Sequence, residues 1–304
     1  MSTADQDRYE AAVAKLSERL REDDAVLAAV VCGSLAYDRV WHKSDIDLVI
    51  VAVDDPKKVT EQGIALTEAD INVHAQVLRR ESFRKLLESS RRNSFEHSYL
   101  ARGRLLFSKD PALAPLFDGI DQIGERDKQL RLIELLSFVL PCLDKAEKWL
   151  VVKRDYAYAA LYVLHAATGL AGIEVTLAGK LASREVLAQA RQLAPALFDR
   201  IYVDMIGKRP EAKRIAAALG AIEAYLLERR APLFGLVLEH LAEHGNLRPI
   251  SEIDHHFART HGIESVLSLC EWLADHDLVV KGGTPRKVCA RGSVQLQELA
   301  FGPR

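Results

Sequence analysis

The sequence predicts a mixed α+β protein in three consecutive parts: an α/β unit over residues 1–115, a helical bundle over 116–230, and a helix-rich unit ending in a β-hairpin over 231–304. Three observations carry this reading. The apolar runs Val26–Cys32 and Leu48–Val53 have the length and β-branched content of buried strands, and they flank the polar pieces Gly33-Ser34 and Ser44-Asp45-Ile46-Asp47. Between residues 120 and 230 the apolar positions recur only at helical spacing. The remainder reads as helices followed by two short strands.

Taken in order, residues 4–22 form an amphipathic helix with Tyr9, Val13, Leu16 and Leu20 on one face. After the two strands, Ile64–Leu66 and Ile71–Leu78 read as a strand pair around a turn at Glu68-Ala69-Asp70. Ser82–Arg91 is a helix with Phe83, Leu86 and Leu87 inward, and Arg104–Phe107 adds an edge strand. In the bundle, Leu132, Ile133, Leu136, Val139, Leu140 and Leu143 make one wide apolar face. Tyr158, Leu161, Tyr162 and His165 mark the next helix, and Ala212–Leu227 the last. Beyond it, Leu233–His244, Ser251–Thr260 and Ile263–His276 are helices. Leu278–Lys281 and Arg286–Arg291 are then expected to pair across a Gly282-Gly283-Thr284-Pro285 turn.

Composition narrows the function classes. The 304 residues suit two or three domains, and 49% hydrophobic with 28% charged residues is ordinary for a globular protein. A formal net charge of −2 offers no electrostatic footprint for bulk nucleic-acid binding. The four cysteines lack metal or redox spacing, and Cys32 and Cys142 sit in apolar runs, which points to a reducing cytoplasm. The polar, acidic N-terminus is unlike a signal peptide, and no apolar run is expected to reach the length of a membrane span.

The chemistry concentrates at the two polar pieces. In an extended chain side chains alternate, so Asp45 and Asp47 share one face while Ile46 and Leu48 point into the core. Two carboxylates held together repel, and a hard divalent ion such as Mg²⁺ or Mn²⁺ removes that cost. The Gly33-Ser34 turn lets backbone N–H groups and a hydroxyl approach a phosphate closely. Gly-Ser, ten intervening residues, then Asp-apolar-Asp-apolar resembles the signature of the nucleotidyltransferase superfamily with its polymerase-β-like palm, nearest to the minimal and antibiotic-modifying branches. The resemblance implies that Gly33 and Ser34 hold the phosphates of a nucleoside triphosphate and that Asp45 and Asp47 bind metal; Ser44 and Lys43, just before Asp45, are candidate phosphate contacts, with a solvated loop as the competing reading of Lys43. It further implies transfer of a nucleoside monophosphate, AMP from ATP by preference, to a hydroxyl acceptor lying between the α/β unit and the bundle. A small molecule is favoured over protein or RNA as that acceptor.

The family normally supplies a third carboxylate from a neighbouring strand, and in this sequence the position falls on His74, flanked by Asn72 and Gln76. Three readings of His74 stay open: a metal ligand or general base, a lost second metal site that leaves only nucleotide binding, or a half-buried strand histidine. Asp70 is a substitute carboxylate if the hairpin register slips. Weaker candidates are Arg39, Arg91, Arg92 and Arg102 as phosphate contacts, Lys145 and Lys148 as cleft-facing cations, and Asp254-His255-His256, read as surface. Residues 145–150 and 155–160 resemble the HEPN-like helical domains that accompany these enzymes; Arg154 and His165 are too far apart for the RNase motif of some relatives, so no RNase activity is expected. Residues 231–304 resemble a winged helix-turn-helix, but its would-be recognition helix carries Glu264, Glu271 and Asp275 without a Lys or Arg. The unit holds seven Lys/Arg against nine Asp/Glu, so packing or homodimerisation is expected ahead of DNA binding. The competing function is a catalytically impaired nucleotide sensor that signals through this unit.

Overall fold

The computed structural model describes residues 3–36, 40–89, 95–289 and 291–304. The chain forms two compact units, Met1–Gly124 and Glu125–Arg304. In the first, α1 (Thr3–Glu22) leads into β1 (Val26–Cys32), a single turn α2 (Gly33–Ala36), β2 (Ile46–Ala52), β3 (Gln62–Glu68) and β4 (Ile71–Arg79). Then follow α3 (Arg80–Ser89), α4 (Phe95–Ala101), β5 (Arg104–Ser108) and α5 (Leu113–Asp118). The sheet order is β3-β4-β2-β1-β5. Strands β2 and β4 run parallel and every other neighbouring pair is antiparallel.

Helices cover the sheet on both faces. Tyr9, Ala12, Val13 and Leu16 of α1 pack over Ala29, Val31, Ile46, Leu48 and Val73. On the other face Phe83, Leu87, Leu100, Leu113 and Phe117 pack over Ala28, Val30, Val49 and Val51. A strand buried on both faces reads as a continuous apolar run, and β2 is one apart from Asp47. The helices Phe95–Ala101 and Leu113–Asp118 escape the sequence reading because each is too short to show a helical period.

The hairpin joining β3 and β4 turns on Ala69 and Asp70, with φ of 50° and 58°. Two consecutive left-handed residues make the turn whose twist matches paired strands. Asp tolerates that conformation better than Ala, so Ala69 is strained. The hairpin is tied to α1: Arg8 donates to the Ala69 carbonyl at 2.9 Å, and Lys15 and Arg19 pair with Glu68 at 2.6 and 2.9 Å. Ala69→Gly should relieve the strain and raise stability by roughly 0.5–1 kcal/mol. The check is a higher urea midpoint at constant m-value; an unchanged or lower midpoint contradicts the strain argument.

The second unit begins with α6 (Glu125–Lys148), a π-helical turn (Trp149–Lys153) and α7 (Tyr156–Leu177). Next come α8 (Val186–Leu193), α9 (Pro195–Phe198), a second π-helical turn (Asp199–Val203), α10 (Asp204–Gly207) and α11 (Ala212–Glu228). It continues through α12 (Arg230–His244), β6 (Arg248–Pro249), α13 (Ile250–His261), α14 (Leu267–Asp275), β7 (Val279–Lys287) and β8 (Gln295–Pro303). The boundary placed near residue 115 therefore falls at 124/125, and one hydrophobic core runs through both 116–230 and 231–304, from Leu130 to Phe301. Asp155 caps α7 by accepting from the Tyr158 amide at 3.0 Å. Gly169 and Gly172 let α6 approach α7: a Cβ at Gly169 would lie 2.5 Å from Val139.

Two expectations need correction here. By length and composition alone α7 is apolar enough to cross a membrane, contrary to the reading that no run reaches that length; 61% of its apolar window is buried within this unit. A helix apolar all round is what a bundle's central helix requires. Secondly, residues 282–285 are not a turn. β7 passes straight through them and pairs with β8 from Val279↔Pro303 to Lys287↔Gln295, so the strands reverse after residue 287. Gly282 and Gly283 serve close packing, since a Cβ on either would meet Leu247 at 2.8 Å or Gln297 at 3.0 Å. Pro285 is tolerated because β7 is an edge strand in the order β6-β8-β7.

His240 on α12 is buried, and burial together with His256, His244 and Arg248 pushes its pKa down to about 4. The unfolded chain, with an ordinary value near ~6.5, then takes up the proton first. The stability this histidine contributes is complete above about pH 6.5 and is lost as the pH falls towards about 4. Urea midpoints of the metal-free chain should decline over that interval, and His240→Phe should flatten the decline; an equal slope in both chains contradicts it.

Candidate active site

The site is built on the central strands. In the sheet Cys32 lies opposite Asp47, Asp47 opposite His74, and His74 opposite Ala65. Residues in register share a face, so Asp47 and His74 emerge side by side. Asp45, one residue before β2, points the same way: its Oδ2 lies 3.8 Å from His74 Nδ1. That separation is a charge–charge contact and not a hydrogen bond. His74 is 58% exposed and Asp45 37%, so both stay open to a ligand.

Gly33 makes room for this arrangement. It follows β1 with φ of +67°, and a Cβ there would sit 2.1 Å from Asp47 Oδ2 and 3.0 Å from Cγ. Glycine is needed twice over, for the backbone and for the carboxylate packed against it. The neighbouring Cys32 thiol is pushed up to about 12 by burial, then by the Asp47 charge, and stays a neutral core group. All four cysteines are free.

The loop before Asp45 is held from α1. The Tyr9 hydroxyl donates to the Ser44 carbonyl, and the Ser44 hydroxyl accepts from the Trp41 amide at 3.0 Å. The Ser44 amide closes the same turn onto the Trp41 carbonyl at 2.9 Å. Ser44 thus shapes the turn that delivers Asp45. Tyr9 is a positioning residue, although its spacing, which matches the apolar face of α1, marks it only as core. Burial, and after it Asp45 and Asp5, raises the Tyr9 hydroxyl pKa against the opposing effect of Arg8, which keeps it a donor. Ser34 follows Gly33 in α2 and is half-buried. The Lys43 ammonium lies over the Trp41 ring, 5.9 Å from its centroid.

A depression of about 640 Å³ opens beside the carboxylates, lined by Asp47, His74, Gly63, Ala65 and Gln76 from the sheet and by Leu86 and Tyr99 from α3 and α4. Asn72 and Gln76 flank His74 on the exposed face, as the alternation requires. Asp70 sits in the hairpin turn, and the register Ala65↔His74 rules out the slip that would bring it to the site. Arg39, Arg91 and Arg92 lie outside the described residues. Lys145 and Lys148 are exposed on α6.

A family model described as polymerase beta, nucleotidyltransferase, matches residues 14–112, the segment that carries every residue of this site except Tyr9. This segment belongs to the nucleotidyltransferase superfamily. Among solved structures, the nucleotidyltransferase-like protein from Exiguobacterium sibiricum 255-15 is similar in fold over 97% of this chain and 99% of its own, with a TM-score of 0.65 at 15% identity. No match is found among curated proteins. Nucleotidyltransferases generally use a divalent ion and a nucleoside triphosphate. The donor set suits such an ion: two carboxylates with an imidazole at their edge.

Gly33→Ala should displace the Asp47 carboxylate and lower nucleotide affinity by at least about tenfold, measured calorimetrically with ATP and Mg²⁺, while the fold persists by circular dichroism. Unchanged affinity contradicts the packing role assigned to this glycine.

Proposed function

We propose that the protein transfers a nucleoside monophosphate, AMP from ATP as the first candidate, to a hydroxyl of a small-molecule acceptor. The convergence of Asp45, Asp47 and His74 on one sheet face beside the depression carries this reading. Asp45 and Asp47 would hold Mg²⁺ or Mn²⁺, which when bound offsets the charge of the triphosphate and of the transition state. Gly33 and Ser34 supply a Cβ-free wall, backbone N–H groups and a hydroxyl for the phosphates.

His74 takes the role of base. Its Nδ1 faces Asp45 at 3.8 Å, which leaves Nε2 for the acceptor. The acceptor hydroxyl gives its proton to Nε2 and its oxygen bonds to the α-phosphorus. The bond from that phosphorus to the bridging oxygen breaks, and pyrophosphate leaves. The net charge of −2 favours a small acceptor over a nucleic-acid end.

Incubation with α-phosphate-labelled ATP and a panel of hydroxyl acceptors tests the reading. Wild type should transfer label, Asp45→Asn and Asp47→Asn should fall to background, and His74→Ala should lose about 10²–10⁴-fold in kcat with little change in thermal stability. Equal transfer by wild type and Asp45→Asn sinks the proposal. Tight nucleotide binding without transfer to any acceptor replaces it with the sensor reading, which the imidazole at a carboxylate position favours.

A further inference from the structure

Far along the chain from the carboxylate pair, the last turn of α12 gathers a different set of donors. The helix ends at Gly245, with φ of +66°. His240, Glu243 and His244 stand at i, i+3 and i+4 and so share one face. Each offers a ligand atom, and these atoms lie within 4.8 Å of one another. His240 is only 6% exposed, and its Nε2 has no hydrogen-bond partner. A buried polar atom left unpaired carries its full desolvation penalty, which a ligand at that ring offsets.

The surroundings hold the imidazole in place. His256 of α13 stacks on it with ring centroids 4.1 Å apart, while His244 and Phe257 meet it edge-on at 5.0 and 5.5 Å. His256 thus has a ring partner that its local sequence does not reveal. Its neighbour Asp254 accepts from the Val266 amide at 2.7 Å and from the Ser265 hydroxyl at 3.1 Å. Glu243 and His244 are exposed, so an ion reaches them from solvent.

We propose that His240, Glu243 and His244 form a binding site for a borderline divalent ion of the Zn²⁺ kind, separate from Asp45 and Asp47. Two imidazole nitrogens and one carboxylate are softer than the all-oxygen sets that suit Mg²⁺ and match three-ligand Zn²⁺ sites with one position open. Tetrahedral coordination brings ligand atoms to roughly 3.4 Å apart, a contraction that rotation of the two exposed side chains supplies. The carbonyl end of α12 adds a field favourable to a cation. Arg248 opposes it, but its guanidinium is paired with Glu252 at 2.9 Å. The bound ion pins the end of α12 and fixes His240 in its neutral form.

The untagged chain of residues 1–304, stripped with a chelator, is titrated with ZnCl₂ by calorimetry and followed by thermal melting, with Co²⁺ as an optical probe. Wild type should bind one ion at this site, melt higher with Zn²⁺, and give the visible absorption of low-coordinate Co²⁺. The double substitution Glu243→Gln with His244→Ala, both exposed, should weaken Zn²⁺ binding at least about tenfold. Asp45→Asn with Asp47→Asn should leave it in place, which separates this site from the proposed transfer chemistry. Equal Zn²⁺ affinity in wild type and the Glu243→Gln, His244→Ala chain overturns the proposal, as does binding lost only with the aspartates.

Discussion

The Asp47 carboxylate interrupts β2, a strand otherwise buried on both faces, and the first unit is organised around that charge. A charge placed there is unfavourable unless something offsets it. Gly33 yields the space beside it, the parallel register with β4 sets His74 alongside, and the depression gives the face access to solvent. Strand pairing therefore does more than build the sheet. A one-residue slip of β4 would turn His74 into the α1 core and bring Val73 or Ala75 to the site.

Much of this was legible in the residues. Asp45 and Asp47 at a spacing of two, next to a continuous apolar run, imply a shared face and a central strand, and the structure has both. The place of His74 beside the aspartates follows from the same alternation. The packing of the Gly33 backbone on the Asp47 carboxylate was not legible, because it depends on how a left-handed turn meets the next strand. Nor was the role of Tyr9, whose ring is core and whose hydroxyl is a brace.

The C-terminal half shows where pattern reading fails physically. Gly282-Gly283-Thr284-Pro285 has the composition of a turn, yet tertiary packing against Leu247 and Gln297 makes it strand. Residues 231–304 run as helix, short strand, two helices and two long strands, where the sequence pattern gives three helices and a short hairpin, and the core is continuous from α6 to β8. His240 of α12 and His256 of α13 are distant in sequence and stack only because α13 folds back on α12.

Asp45 and Asp47, with His74 beside them, are proposed to hold a metal-bound nucleoside triphosphate. The most direct measurement is an anomalous difference map from crystals grown with Mn²⁺ and a non-hydrolysable ATP analogue. A manganese peak is expected at the Asp45 and Asp47 carboxylates, with the triphosphate beside Gly33 and Ser34 and His74 on the same side of the sheet. A nucleotide bound elsewhere, or manganese absent from both aspartates, would contradict it.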